Sequence, residues 1–261
     1  MDNLTNSFKA ALKKGEPQIG LWVGLADAYC AEICAGAGFD WLLIDGEHAP
    51  NDLRSLLAQL QAVAAYGVHP VVRPPVGEPW LLKQILDIGA QSLLIPMVET
   101  AEQARALVAA TRYAPQGIRG IGYGMARSGR WSRTPDYVHR AGDETCLLVQ
   151  IETKKALDNI EEIAAVEGVD GLFIGPADLS AALGFPGNSG HPDFQAVVES
   201  AMRRVIATGK PVGIVTGDET LNRKYLEIGC TFVAVGVDAI LFAKMLQELA
   251  GRYKTSRPAS I

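Results

Sequence analysis

The chain has 261 residues, with 24 Lys+Arg against 29 Asp+Glu for a formal charge of −5; 48% of it is apolar and 20% charged. That length fits one α/β barrel or two modest domains, and the composition excludes a disordered or fibrous chain. The acidic balance leaves no basic stripe for a nucleic-acid backbone, and the apolar runs are too short and too interrupted to span a membrane.

Residues 1–20 carry Asp2, Glu16 and a weakly amphipathic stretch at Phe8, Ala11 and Leu12. They lack the apolar core of a signal peptide, so a cytoplasmic protein is expected. The run QIGLWVG (18–24) reads as a first strand. A pattern then recurs four times: AGAGFDWLLIDGEH (35–48), DIGAQSLLIPMVE (87–99), VEGVDGLFIGPAD (166–178) and EIGCTFVAVGVD (227–238). In each, a glycine (38, 89, 168, 229) is followed six residues later by Ile or Val (44, 95, 174, 235) at the end of an apolar run, and then by Gly or Pro and an acidic residue. A left-handed glycine closing a helix, a tight turn and a strand buried on both faces produce this pattern.

Three further runs, 69–73, 146–151 and 211–215, complete eight predicted strands, and helical patterns fill the gaps. Leu53, Leu56, Leu57, Leu60 and Val63 keep a helical period behind Pro50-Asn51-Asp52. Thr100 and Gln103 have capping-box spacing, and Phe194, Val197, Val198, Ala201 and Val205 stripe a helix after Pro192. Eight strands alternating with helices over about 250 residues describe a (β/α)8 TIM barrel. A doubly wound open sheet is the alternative, but it commonly shows a glycine-rich phosphate loop after its first strand, and LWVGLADAY has none.

Two stretches interrupt the alternation. Residues 113–142 hold six glycines and five arginines, a long loop of the kind that is often functional. Residues 239–253 read as an added amphipathic helix, and 254–261 as a disordered tail. One domain, 1–253, is expected. Cys30, Cys34, Cys146 and Cys230 lack a second Cys/His pair at zinc-finger spacing and read as buried free thiols.

In a barrel the chemistry sits where strands end. Those ends read Asp45-Gly46-Glu47-His48, Arg73-Pro74, Pro96 with Glu99, Gln150-Ile151-Glu152, Gly175-Pro176-Ala177-Asp178, and Gly236 with Asp238. Glu152 and Asp178, from adjacent strands, form an oxygen-only pair suited to Mg²⁺ or Mn²⁺, unless Asp178 only caps a helix beginning near Leu179. His48 is the one histidine at such an end; Asp45, three residues upstream, could hold it as a general base. Arg73 emerges from an apolar strand, either to meet a substrate anion or to pair with Asp45 or Glu47. The ten lysines all lie in helical or loop contexts, so no strand lysine is placed for Schiff-base chemistry. A metal mechanism gains by elimination.

The segments WLLIDGEHAP, PVVRP, LLIPMV, LVQIET, GLFIGPADLS and ATRYAPQGIRGIG closely resemble the metal-dependent class II pyruvate aldolases of the HpcH/HpaI type, over about Asn6 to Tyr253. The resemblance implies divalent-metal-dependent (Mg²⁺, Mn²⁺ or Co²⁺), reversible cleavage of a 4-hydroxy-2-oxo acid. The expected reaction takes 4-hydroxy-2-oxoheptanedioate to pyruvate and succinic semialdehyde in the catabolism of homoprotocatechuate. It implies Glu152 and Asp178 as metal ligands and Gln150, Pro176, Ala177 and Asp178 as pyruvate contacts. His48 would be the base and Arg73 the stabiliser of the enolate, with Asp45 and Asp87 raising the basicity of the histidine. Trp22, Val215 and the stretch 119–130 are expected around the aldehyde. A homohexamer is implied too, with the terminal helix exchanged between subunits and active sites near subunit contacts. Three other readings stand beside this one: a sugar-acid aldolase, a citryl- or malyl-type thioester lyase, and a barrel that only binds a small acid.

Overall fold

The computed structural model describes residues 4–254. Eight parallel strands close into a barrel in sequence order: β1 Gln18–Val23, β2 Trp41–Asp45, β3 His69–Arg73, β4 Ser92–Ile95, β5 Cys146–Ile151, β6 Gly171–Ile174, β7 Val212–Val215 and β8 Phe232–Val237. The helices before β5 are α1 Ser7–Lys14, α2 Ala28–Ala35, α3 Leu53–Val63, α4 Pro79–Asp87, α5 Ala101–Thr111 and α6 Tyr137–Glu144. Those after it are α7 Lys154–Asp158, α8 Ile160–Ala164, α9 Pro176–Ala182, α10 Pro192–Ala207, α11 Glu219–Ile228 and α12 Asp238–Lys254. The expected TIM barrel with an added C-terminal helix is what forms.

The four repeat glycines have φ of +93, +101, +96 and +112°, the conformation the pattern required. Thr100 and Gln103 form the expected capping box, and Asp52 with Ser55 forms another. None of the described helices is long and apolar enough to cross a membrane. All four cysteines are free, but only Cys146 and Cys230 are buried; Cys30 and Cys34 are half-exposed on α2. Lys254 is the last residue of α12, not the first of a tail, and residues 255–261 lie outside the described residues.

Side chains alternate along a strand, and that alternation builds the site. Inside the barrel, Trp41 and Leu43 of β2, Val71 of β3, Cys146 and Leu148 of β5 and Phe173 of β6 share one apolar cluster. Two residues further along the same faces stand Asp45, Arg73 and Gln150. The strand register pairs Asp45 directly with Arg73. The upper layer of the barrel is thus ionic and the lower layers apolar.

The opposite end is plugged by α1. Phe8 is 1% exposed and meets Trp41, His69 and Phe232, the first residues of β2, β3 and β8, at ring-centroid distances of 5.6, 5.5 and 6.1 Å. The Lys9 ammonium reaches the Thr145 carbonyl at 2.7 Å and Asp170 at 3.2 Å. The weakly amphipathic N-terminal stretch is therefore a structural floor.

The stretch 113–142 departs from expectation. It joins α5 to β5, so it lies at the floor, and its last six residues belong to α6. Arg119 donates to Asp87 at the end of α4, Ser128 N–H donates to the Asp87 carbonyl, and Arg127 donates to the Ile88 carbonyl. Within the subunit none of residues 119–130 lines the rim cavity; they lie at the other end of this chain from it.

Candidate active site

A cavity of about 160 Å³ opens at the rim where the strands end, lined by Trp22, His48, Arg73, Gln150, Glu152, Phe173, Gly175, Pro176, Ala177, Asp178, Val215 and Val237. Nine of the eleven residues expected at the site are on this surface; Asp45 and Asp87 are not.

Arg73 is the hub. Its Nε and Nη2 donate to the two Asp45 oxygens at 2.8 and 2.6 Å, a bidentate fork. Its Nη1 lies 2.7 Å from Glu47 Oε2 and 3.3 Å from Gln150 Oε1. The guanidinium also sits 4.7 Å from the centre of the Trp22 ring, and Trp22 Nε1 donates to Asp45 Oδ2 at 3.1 Å. Burial pushes the Asp45 carboxyl up, but the Arg73 fork outweighs it and holds the group below the usual carboxylate range. The internal ion pair does not remove Arg73 from the cavity: two carboxylates fix its fork, and the residue still lines the surface.

This arrangement corrects the expected pairing of Asp45 with His48. The Asp45 carboxylate points inward and is filled by Arg73, Trp22 and the Glu47 N–H. The chain turns outward at Gly46, so the His48 side chain is 65% exposed, with Nε2 3.9 Å from Glu47 Oε2. Glu47 is therefore the acidic neighbour of both Arg73, as one of the two expected partners, and His48, which the sequence did not pair with it. Burial raises the Glu47 carboxyl, opposed by the charge of Arg73 and then of His48. Asp87 pairs with Arg119 at 2.7 Å at the floor, so it does not reach His48 within this chain.

Glu152 is 3% exposed. Its Oε1 accepts the Met97 N–H at 2.7 Å and its Oε2 accepts Gln150 Nε2 at 2.6 Å. Burial raises its carboxyl above the ordinary value, and the charges of Glu47 and Asp178 add to this against the two hydrogen bonds. Gly175 makes room for it, since a Cβ there would lie 2.4 Å from Glu152 Oε2. Asp178 is exposed in the first turn of α9, which starts at Pro176, so it neither ends β6 nor caps a helix from Leu179. Ala177 is exposed and Pro176 half-buried beside it.

Among the described residues no group of three His, Cys, Asp or Glu gathers to enclose a metal. The pair Glu152 and Asp178 nonetheless fits a hard divalent cation. Both donors are oxygens, one is buried among like charges, and the one Lys or Arg among the described lining residues, Arg73, is already held by Asp45 and Glu47. Two other rim carboxylates are structural: Glu99 accepts from Thr153 and Lys155, and Asp238 accepts the Gly24 and Leu25 N–H groups.

Residues 18–244 match the model of the HpcH/HpaI aldolase/citrate lyase family. The chain belongs to this family. It is 65% identical to a hydroxypyruvate/pyruvate aldolase of Deinococcus radiodurans, over 97% of this chain and 92% of that protein. It is 56% identical to a 4-hydroxy-2-oxo-heptane-1,7-dioate aldolase of Salmonella typhi, over 98% of each. A solved HpcH/HpaI aldolase/citrate lyase family protein of Burkholderia cenocepacia superposes with a TM-score of 0.91 at 40% identity, covering 96% of this chain and 100% of that one. Family membership makes the chain a carbon–carbon lyase of the aldolase class, as the resemblance implied.

Proposed function

We propose that the rim site cleaves 4-hydroxy-2-oxo acids reversibly to pyruvate and an aldehyde, with a divalent cation (Mg²⁺, Mn²⁺ or Co²⁺) held by Glu152 and Asp178. The observation that carries this reading is the joining of that carboxylate pair to a doubly anchored arginine in one cavity. When bound, the cation supplies Lewis-acid polarisation of the 2-oxo group.

The chain's own residues supply the rest. Gln150, fixed between Arg73 and Glu152, and the backbone of Pro176 and Ala177 orient the carboxylate end of the substrate. Arg73 presents a preorganised guanidinium to the negative charge that develops on the 2-oxo oxygen as the C3–C4 bond breaks. His48, exposed at the mouth beside Glu47, takes the proton of the 4-hydroxyl, directly or through water. His48→Ala is expected to keep cation binding and lose cleavage. Trp22, Val215 and Val237 form the far wall against the aldehyde.

The Salmonella relative supports 4-hydroxy-2-oxoheptanedioate as substrate, with succinic semialdehyde released, and hence the homoprotocatechuate route as the setting. A second reading has its own support. Among the described residues of this chain Arg73 is the only Lys or Arg lining the cavity and it is paired, so a distal carboxylate finds no cation among them; the Deinococcus relative is a hydroxypyruvate/pyruvate aldolase. Short uncharged aldehydes, with hydroxypyruvate or pyruvate as donor, fit that wall. A coupled assay of pyruvate release across dicarboxylic and short 4-hydroxy-2-oxo acids, with the aldol direction run on both donors, separates the two. Release from none of the substrates would overturn the proposal.

Assembly belongs to the same reading. On α12, Ile240, Leu241, Phe242, Met245, Leu246 and Leu249 are exposed. A homo-oligomer, by family resemblance a hexamer, would cover this face and act in the cytoplasm.

A further inference from the structure

The floor carries a second polar cluster that the rim chemistry does not use. Arg119, Arg127 and Arg130 line a cavity of about 50 Å³ between the 113–142 stretch and the residues that precede β4 and β5. One water needs roughly 10–15 Å³, so this space suits a group of several heavy atoms. Among the described residues, two buried donors on residues that line it have no acceptor. Arg119 is 1% exposed along its side chain and its buried Nε is unpartnered, as is the buried Oγ of Ser128. Buried donors left unmatched are rare and costly, and each calls for an explanation.

The charge around the cavity points the same way. Asp87 neutralises Arg119 at 2.7 Å, whereas the acceptors of Arg127 are the neutral carbonyls of Ile88 and Leu60 at 2.9 and 3.2 Å. Among the described residues the one lining carboxylate, Glu144, accepts the Asn6 N–H at 2.7 Å. Burial lowers the Arg127 guanidinium, and the charge of Arg130 lowers it further, so two cations stand close together here. The seat for Arg127 depends on Gly89, because a Cβ at that position would lie 2.5 Å from Arg127 Nη1.

We propose that this floor cavity binds a small oxyanion of the inorganic phosphate class, held by Arg119 Nε, Ser128 Oγ and the guanidinium groups of Arg127 and Arg130. The ion would tie the 113–142 stretch to the start of β4. A single-atom anion such as chloride would not reach donors on several sides of the cavity, whereas a tetrahedral oxyanion offers an oxygen to each.

The test is calorimetric titration of the full-length protein with sodium phosphate at ionic strength held constant with NaCl, with Tm read in parallel. The expected result is one phosphate per chain and a rise in Tm that NaCl alone does not give. Arg130→Gln should raise the Kd at least tenfold. Ser128→Ala should raise it several-fold while leaving the phosphate-free Tm unchanged or slightly higher, which keeps the proposal exposed if the arginine variant misfolds. Asp178→Asn, at the opposite end, should bind phosphate as the wild type does. Absence of a phosphate-specific rise, a Kd indifferent to Ser128→Ala, or loss of binding in Asp178→Asn would each overturn the floor site. Tighter binding of acetate than of phosphate would overturn the assigned class.

Discussion

The two ends of this barrel are made by the same eight strands and solve opposite problems. At the floor, the inward positions are apolar or neutral. Phe8 packs on Trp41 and Phe232, and His69 is buried against Ser92 Oγ at 2.8 Å. At the rim, the inward positions are Asp45, Arg73, Gln150 and Glu152, all buried and all but Gln150 ionisable. Burying charges opposes folding unless they are paired. The rim satisfies Arg73 twice over yet leaves Glu152 with two hydrogen bonds and no cation of its own. Along the barrel axis one end is closed by apolar packing, and the other keeps an unbalanced charge that the proposed cation would offset.

The sharpest way to break that contrast is Arg73→Ala. Removing one preorganised donor to a developing oxyanion lowers turnover by roughly 10²–10³. The same change strands Asp45 and Glu47, a loss of about 3–5 kcal/mol of stability for breaking a buried pair. Steady-state kinetics and thermal melts on one preparation read both, and an intact kcat would remove Arg73 from the chemistry. Phe8→Ala is the complementary experiment. It empties an aromatic site in the floor and should cost about 3–5 kcal/mol in denaturant unfolding, with kcat unchanged at temperatures where the fold persists. A fall in kcat without a fall in stability would deny the separation of the two ends.

A pH titration comes next in size. Burial lowers His69 from its ordinary 6.5 to about 4, so the folded state favours the neutral ring. Its contribution is present above pH 6.5 and is lost as pH falls from there toward about 4, on the order of 3 kcal/mol in all. His69→Gln should flatten the stability profile across that window; an unchanged slope would show that another group titrates. Gly175→Ala is the smallest and most local perturbation. Its Cβ displaces Glu152 Oε2, so Mn²⁺ affinity should fall tenfold or more while unfolding stays cooperative. Wild-type affinity would mean that Glu152 is not a cation ligand.

Much of this was legible from the chain. A glycine followed by a buried run located half of the strands, and reading the residues where strands end located Arg73, Gln150, Glu152 and His48. Ends alone do not say which way a side chain faces, so the sequence leaves Asp45 open between His48 and Arg73: it and His48 straddle the turn at Gly46 and diverge. Counting alternate residues from Trp41 would have found it, because positions 41, 43 and 45 share the inward face. The stretch 113–142 differs from its expected place in this subunit for another reason. Glycine and arginine content suggested function, but a segment between a helix and the following strand of a barrel must lie at the floor. Glu47 is legible only as an alternative to Asp45 in pairing with Arg73, 26 residues away in sequence; that both carboxylates hold the guanidinium at once shows only in three dimensions.

The central claim is that the unbalanced rim is a cation-assisted aldol site. Its most direct test is pyruvate release from a 4-hydroxy-2-oxo acid by chelator-treated protein, before and after addition of Mg²⁺, Mn²⁺ or Co²⁺, with Glu152→Gln alongside. The account predicts no release without cation, recovery with it in the wild type, and no recovery in the variant. Equal release in the presence and absence of chelator would contradict it.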